Sequence, residues 1–257
     1  MALFNKVLAS IGIGAAKVDT RLKASSFQAG ETIEGIVAVK GGNIEQKIEE
    51  IYLSVMTSYV KEKDDQKWTK QAEIAKIKIN EPFVILAKET KEIPFSFQLP
   101  VDTPVTIGAS KVWIHTGLDI KSAVDPQDTD YIEVEPAELM GEVFNSLRRI
   151  GFKFLQVENK EAPFHLKNRL PFIQEFEFYP VSGSFRGLLK ELEIVFTSIS
   201  QDALEMKMEI DRRARGLSGL LAEALDLDER HVRIKVGRND LRQLDDKFIQ
   251  TIQRYCS

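Results

Sequence analysis

Residues 93–99, Ile-Pro-Phe-Ser-Phe-Gln-Leu, set Ile93, Phe95, Phe97 and Leu99 on one side of an extended chain and Pro94, Ser96 and Gln98 on the other. A period of two is the mark of a strand with one buried face. Pro94 has no backbone donor, which places this strand at a sheet edge or Pro94 at a strand start. The alternation recurs in Ile51, Leu53 and Val55, in Ala75, Ile77 and Ile79 against Lys76 and Lys78, and in Val112, Ile114, Thr116, Leu118 and Ile120. Turn formers separate the runs at 28–30, 41–43, 63–65 and 100–104. Many short strands joined by turns, with no helix between them, predict an antiparallel β-sandwich.

At Pro136 the period changes. Ala137, Met140, Val143, Phe144 and Leu147 recur at helical spacing before Arg148, Arg149 and Gly151 close the segment. Early glutamates, late arginines and a following glycine suit the helix dipole and the C-cap. This predicts a helical connector over 136–150, between a first sandwich at 1–135 and a second at 151–257.

Strands resume beyond the connector. Phe176 and Phe178 alternate with Glu175, Glu177 and Tyr179, and Leu192, Ile194 and Phe196 alternate with Glu191, Glu193 and Val195. Leu204, Met206, Met208 and Ile210 oppose Glu205, Lys207, Glu209 and Asp211; these are good helix formers, but the fourfold alternation predicts a strand. A helix is expected at about 218–226, a strand at 231–236, and a final amphipathic helix from Asp240 built on Leu241, Leu244, Phe248 and Ile252. Residues 42–55 and 183–196 share an order of glycine, charge and strand, which points to two similar halves.

Composition narrows the function. With 35 Lys+Arg against 39 Asp+Glu, the 257-residue chain carries a formal charge of −4, which disfavours nucleic acid as a partner. One cysteine, Cys256, cannot form an intramolecular disulfide. Three histidines and one cysteine disfavour zinc chemistry and cysteine nucleophiles, and no cofactor is expected. No apolar run reaches the ~18–20 residues of a spanning helix. The stretch from Val7 to Ala16 is short for a signal peptide, so a cytoplasmic location is expected.

Several groups invite a chemical reading. In the opening helix, Phe4, Val7, Leu8 and Ile11 fall at i, i+3, i+4 and i+7. That stripe either packs on the first sandwich or enters a partner groove; with only Lys6 and Lys17 nearby, membrane contact is at most peripheral. Arg212, Arg213 and Arg215 could meet an acidic partner or anionic headgroups, or form a solvated face. His115 and Asp119 share a strand face, but no serine or cysteine elbow lies nearby in sequence, and an exposed structural face is the simpler reading; Glu133 and Glu135 share a face as the two carboxylates of a hydrolase would, a pairing that many solvent-facing strands carry. Asp125, Asp128 and Asp130 supply the hard oxygens that Ca²⁺ prefers, although the run lacks the glycine and distant glutamate of an EF-hand and reads first as a turn. Trp68 and Trp113 are the aromatic groups from which a carbohydrate-binding sandwich would be built.

Residues 4–20, 30–37 and 111–120, with Asp-Pro-Gln-Asp-Thr-Asp at 125–130, resemble the bacterial sporulation-control family of stage-zero M proteins; the connector helix and 211–216 continue the likeness. The resemblance implies an arrestin-like fold of two tandem β-sandwiches. It also implies a cytoplasmic, non-enzymatic regulator acting early in sporulation through contacts with other proteins, such as signalling or division components. A homodimer is a further arrangement open to such a chain. The competing readings are a carbohydrate-binding module and a membrane-peripheral trafficking subunit.

Overall fold

The computed structural model describes residues 15–64, 66–120, 125–166, 168–212 and 229–256. The stripe Phe4, Val7, Leu8 and Ile11, the residues Arg213 and Arg215, and the helix expected at 218–226 lie outside them. The chain is mainly β and divides into two compact units: Met1–Ser58 with Gln71–Thr106 and Lys111–Glu135, and Tyr59–Lys70 with Ile107–Ser110 and Pro136–Ser257.

The first unit contains β1 (Lys17–Leu22), β2 (Ser26–Gln28), β3 (Thr32–Lys40), most of β4 (Gln46–Lys63), part of β5 (Gln66–Lys78), β6 (Phe83–Ile85), β7 (Thr90–Gln98), β8 (Val112–Ile120) and β9 (Gln127–Glu135). β1, β3 and β7 form one antiparallel sheet. β7 is its outer strand, with Pro94 opposite Ile36, so the missing donor costs no ladder bond. In the second sheet β4 pairs with β5, β6 and β8, and β8 pairs with β9. Ile33, Val37 and Val39 from one sheet, and Ile51, Leu53, Val55, Ile114 and Leu118 from the other, form the buried core.

Two expectations need correction here. The pairing is not wholly antiparallel: β2 joins β9 in parallel, with Ser26 beside Glu133. The strands are not all short either, since β4 runs 18 residues and β5 runs 13. In β5 the period of two changes phase: Ala72 and Ile74 are buried, whereas Ala75 and Ile77 are half-buried between exposed Lys76 and Lys78. The alternation at 75–79 thus marked only the weaker half of this strand. The far end of the β4–β5 hairpin, Tyr59–Lys70, groups with the second unit.

The second unit is an antiparallel meander of β10 (Phe152–Glu161), β11 (Phe172–Pro180), β12 (Leu189–Ile199), β13 (Ala203–Arg212) and β14 (Glu229–Gly237), each paired with the next. Val60 at the hairpin end lies beside Lys160 in parallel. The sequence predicts a second sandwich in this half; among the described residues there is one sheet, and two helices cover its apolar face. They are α1 (Glu138–Arg149) and α2 (Leu244–Cys256), the latter entered through a 3₁₀ turn over Arg238–Gln243. The expected connector helix is therefore a packing layer. Leu139, Met140, Val143 and Leu147 of α1 and Leu244, Phe248 and Ile252 of α2 are buried, and Phe144 contacts Phe176, Phe178 and Phe196 of the sheet. A sheet face of period two needs only an apolar cover, and an amphipathic stripe supplies one as well as a second sheet does.

Polar contacts fix the two helices to each other. Asp245 of α2 accepts hydrogen bonds from the Ser146 hydroxyl at 2.5 Å and from both Nε and Nη2 of Arg149 at 2.8 Å. The Arg149 guanidinium holds the Asp245 carboxyl below the usual carboxylate range. After α1 the chain turns at Gly151, with φ +101°; a Cβ there would lie 2.4 Å from the Ser182 carbonyl oxygen, so only glycine fits.

Candidate interaction surfaces

The face of the second sheet that looks away from the helices is carboxylate-rich. Because side chains alternate along a strand, register alone places Gln156, Glu177, Glu193, Glu209 and His231 in one row across β10 to β14. The neighbouring row is Glu158, Glu175, Val195, Lys207 and Arg233, and beyond Glu193 lie Glu191 and Asp211. Like charges directly opposite each other on paired strands repel. Glu177, Glu193 and Glu209 are such neighbours, and Glu175, Glu177 and Glu193 each bring a carboxylate oxygen within 4.8 Å of the others.

Cations relieve this only in part. Lys160 pairs with Glu175 and, at 3.7 Å, with Glu158, and Lys190 pairs with Asp211 at 2.8 Å and Glu191 at 3.4 Å; His231 Nδ1, a cation only when protonated, lies 3.2 Å from Glu209. Half-buried Glu193 is pushed up to about 7, first by burial and then by Glu175 and Glu209, with Lys160 acting in the opposite direction. At neutral pH this row is poised to hold a proton.

A second polar group lies within the first unit. Asp128, opposite Thr116, and Asp130, opposite Ile114, share a face of β9 with buried Ile132 and Val134, so both carboxylates project among core positions. Asp128 Oδ2 accepts the Thr20 backbone N–H at 2.6 Å, and the Thr20 and Thr116 hydroxyls lie 2.7 Å apart. Asp125 Oδ1 instead accepts the Ile120 N–H and closes the β8–β9 turn. The three carboxylates raised as calcium ligands are thus spent separately, one on the turn and two toward the interior. Among the described residues, the convergent carboxylate group is Glu175, Glu177 and Glu193.

The remaining candidate residues are dispersed. His115 is half-buried on the outward face of β8, opposite Ser54 on β4. Ser54 is a serine 61 residues away that a search for an elbow along the chain could not find. Its hydroxyl donates to Glu73 at 2.9 Å, so its proton is directed to a carboxylate and not to the imidazole. Glu133 and Glu135 are exposed on the outward face of β9. Trp113 is buried against Tyr131, ring centroids 5.9 Å apart, and Tyr131 is the ring that solvent reaches. Trp68 is exposed at the hairpin end, as its charged surroundings predict. Arg212 ends β13 opposite Leu189, on the core-facing side with Ile210, and its Nε is buried without a hydrogen-bond partner.

A family model described as SpoOM protein matches residues 4–214. The chain belongs to the SpoOM family. It is 42% identical over 259 aligned residues to the sporulation-control protein spo0M of Bacillus subtilis strain 168, and the alignment covers all of both chains. The crystal structure of Spo0M from B. subtilis superposes with a TM-score of 0.83 at 40% identity, covering 95% of this chain and all of that one. The family expected from residues 4–20, 30–37 and 111–130 is the family found, and the mainly β architecture accompanies it.

Proposed function

We propose that this protein is a non-enzymatic regulator of sporulation that works in the cytoplasm by binding other proteins. The full-length similarity to a protein named for sporulation control supports the process. The observation that carries the mechanism is the five-strand polar face of the second unit, where Glu158, Glu175, Glu177, Glu193 and Glu209 stand in register with Lys207 and Arg233. Such a face offers many ordered, partly desolvated charges of fixed spacing, suited to orienting a partner by electrostatic complementarity. The first unit, with two sheets face to face, supports the arrestin-like part of the reading.

Photo-crosslinking from positions 177 and 209 in sporulating cells tests it. Discrete protein adducts, lost in the double variant Glu177→Lys with Glu209→Lys while the circular dichroism and melting curve hold, are the expected result. Background labelling alone, or adducts unchanged by the charge reversal, would overturn the assignment of this face.

A further inference from the structure

The pair Asp128 and Asp130 has a consequence outside partner binding. Thr20 is buried at the middle of β1, and its backbone N–H and hydroxyl attach that strand to β9 and β8 through Asp128 and Thr116. Two residues along β9 on the same face, Asp130 Oδ2 is buried with no hydrogen-bond partner. Burying a carboxylate oxygen without a donor is costly when the group is ionised and much less so when it is protonated.

No described cation faces it. On β9 its charged neighbour is Asp128; on β1 it is Asp19, itself paired with Arg21 at 2.8 Å, and Lys17 and Arg21 occupy exposed positions. On β8 the residues of that face are Ile114 and Thr116, since His115 and Asp119 project from the other side. β2 contributes Ser26, Phe27 and Gln28, none of which titrates.

We propose that Asp130 is a proton-linked control on β1: protonated, it lets β1 close over β8 and β9, and ionised, it loosens that hold.

Burial first, then the charges of Asp128 and Asp19, push the Asp130 carboxyl up to about 6. The sign follows from linkage. The folded chain holds a proton at Asp130 that the unfolded chain has already lost, so this contribution favours the fold at pH values below the folded value. It disappears as pH rises through about 6. Opening β1 gives Asp130 access to water, so the effect concentrates on local release of β1.

Carboxyl ¹³C NMR of the full chain, with Thr20 amide exchange followed in parallel, tests this. The expected Asp130 midpoint lies near 6, and Asp128→Asn, which removes the adjacent charge, lowers it. Thr20 protection, corrected for intrinsic exchange, is expected to drop about fivefold or more between pH 5 and 7.5, and Asp130→Asn should abolish the drop. An Asp130 midpoint at or below about 4, or the same pH profile of Thr20 protection in Asp130→Asn as in the parent, would overturn the proposal. The wild-type titration decides the matter even where a variant fails to fold.

Discussion

The two faces of the β10–β14 sheet are built from the same strands, one residue out of step, and behave oppositely. One carries Phe176, Leu192, Ile194, Met206, Met208 and Ile210, all buried beneath two helices. The other carries Glu177, Glu193 and Glu209 in direct opposition, with Lys160 and Lys190 as partial counterweights. The apolar face is where stability resides, because burial there is nearly complete and additive over many contacts. The carboxylate face works against stability through like-charge repulsion and presents charge to its surroundings.

The largest expected effect breaks the apolar side. Phe248→Ala, at a fully buried position, should cost about 3–5 kcal/mol in urea unfolding, whereas Lys207→Ala on the opposite face should stay within about 0.5 kcal/mol. Equal losses would erase the distinction between the faces. Next comes the helix clasp. Asp245→Ala removes the bonds from Ser146 and Arg149 and should cost about 1–2 kcal/mol. Because the Asp245 pKa is lowered, that contribution is present above the unfolded value and is lost as pH falls through the folded one, so the variant and the parent should converge in strong acid.

Glu193 should show the opposite slope. Its carboxyl is raised to about 7, so its contribution favours the fold at low pH and is lost as pH rises through that value. Glu193→Gln should therefore stabilise the chain at pH 8 by roughly 1 kcal/mol, discounted for solvent screening, and leave stability at pH 4 nearly unchanged. A variant no more stable than the parent at pH 8 would show that the carboxylates are relieved in another way. The smallest effect is expected at the hairpin end, where Lys61 and Glu161 pair at 2.5 Å with both side chains partly exposed to water. Lys61→Met should change the melting free energy by about 0–1 kcal/mol.

How much of this was legible in the residues depended on whether the deciding interaction was local. β13 was readable despite its helix-forming Leu, Met, Glu and Lys, because the alternation at Leu204, Met206, Met208 and Ile210 matches the two unlike sides of a sheet. The family was readable because 111–130 carries a distinctive order of residues. The phase change in β5 after Ile74 was not, since its neighbours along the chain give no sign of which side each half of the strand will bury. The meeting of Ser54 with His115, and of Thr20 with Asp128, joins strands far apart in sequence. Neither could be found from spacing along the chain.

By itself the sequence determined the period of β7, β8, β11, β12, β13 and the two helices, the turns at 28–30, 41–43, 63–65 and 100–104, the acidic balance and the family. Those properties arise from neighbours within a few residues, or from the order of residues itself. The tertiary structure decided that helices cover the second sheet where a sandwich was expected. It also decided that Glu177, Glu193 and Glu209 confront one another, and that Asp130 faces inward with a buried, unpartnered oxygen. Register between distant strands is set by the whole fold, and the carboxylate environments that shift Glu193 and Asp130 exist only once that register forms.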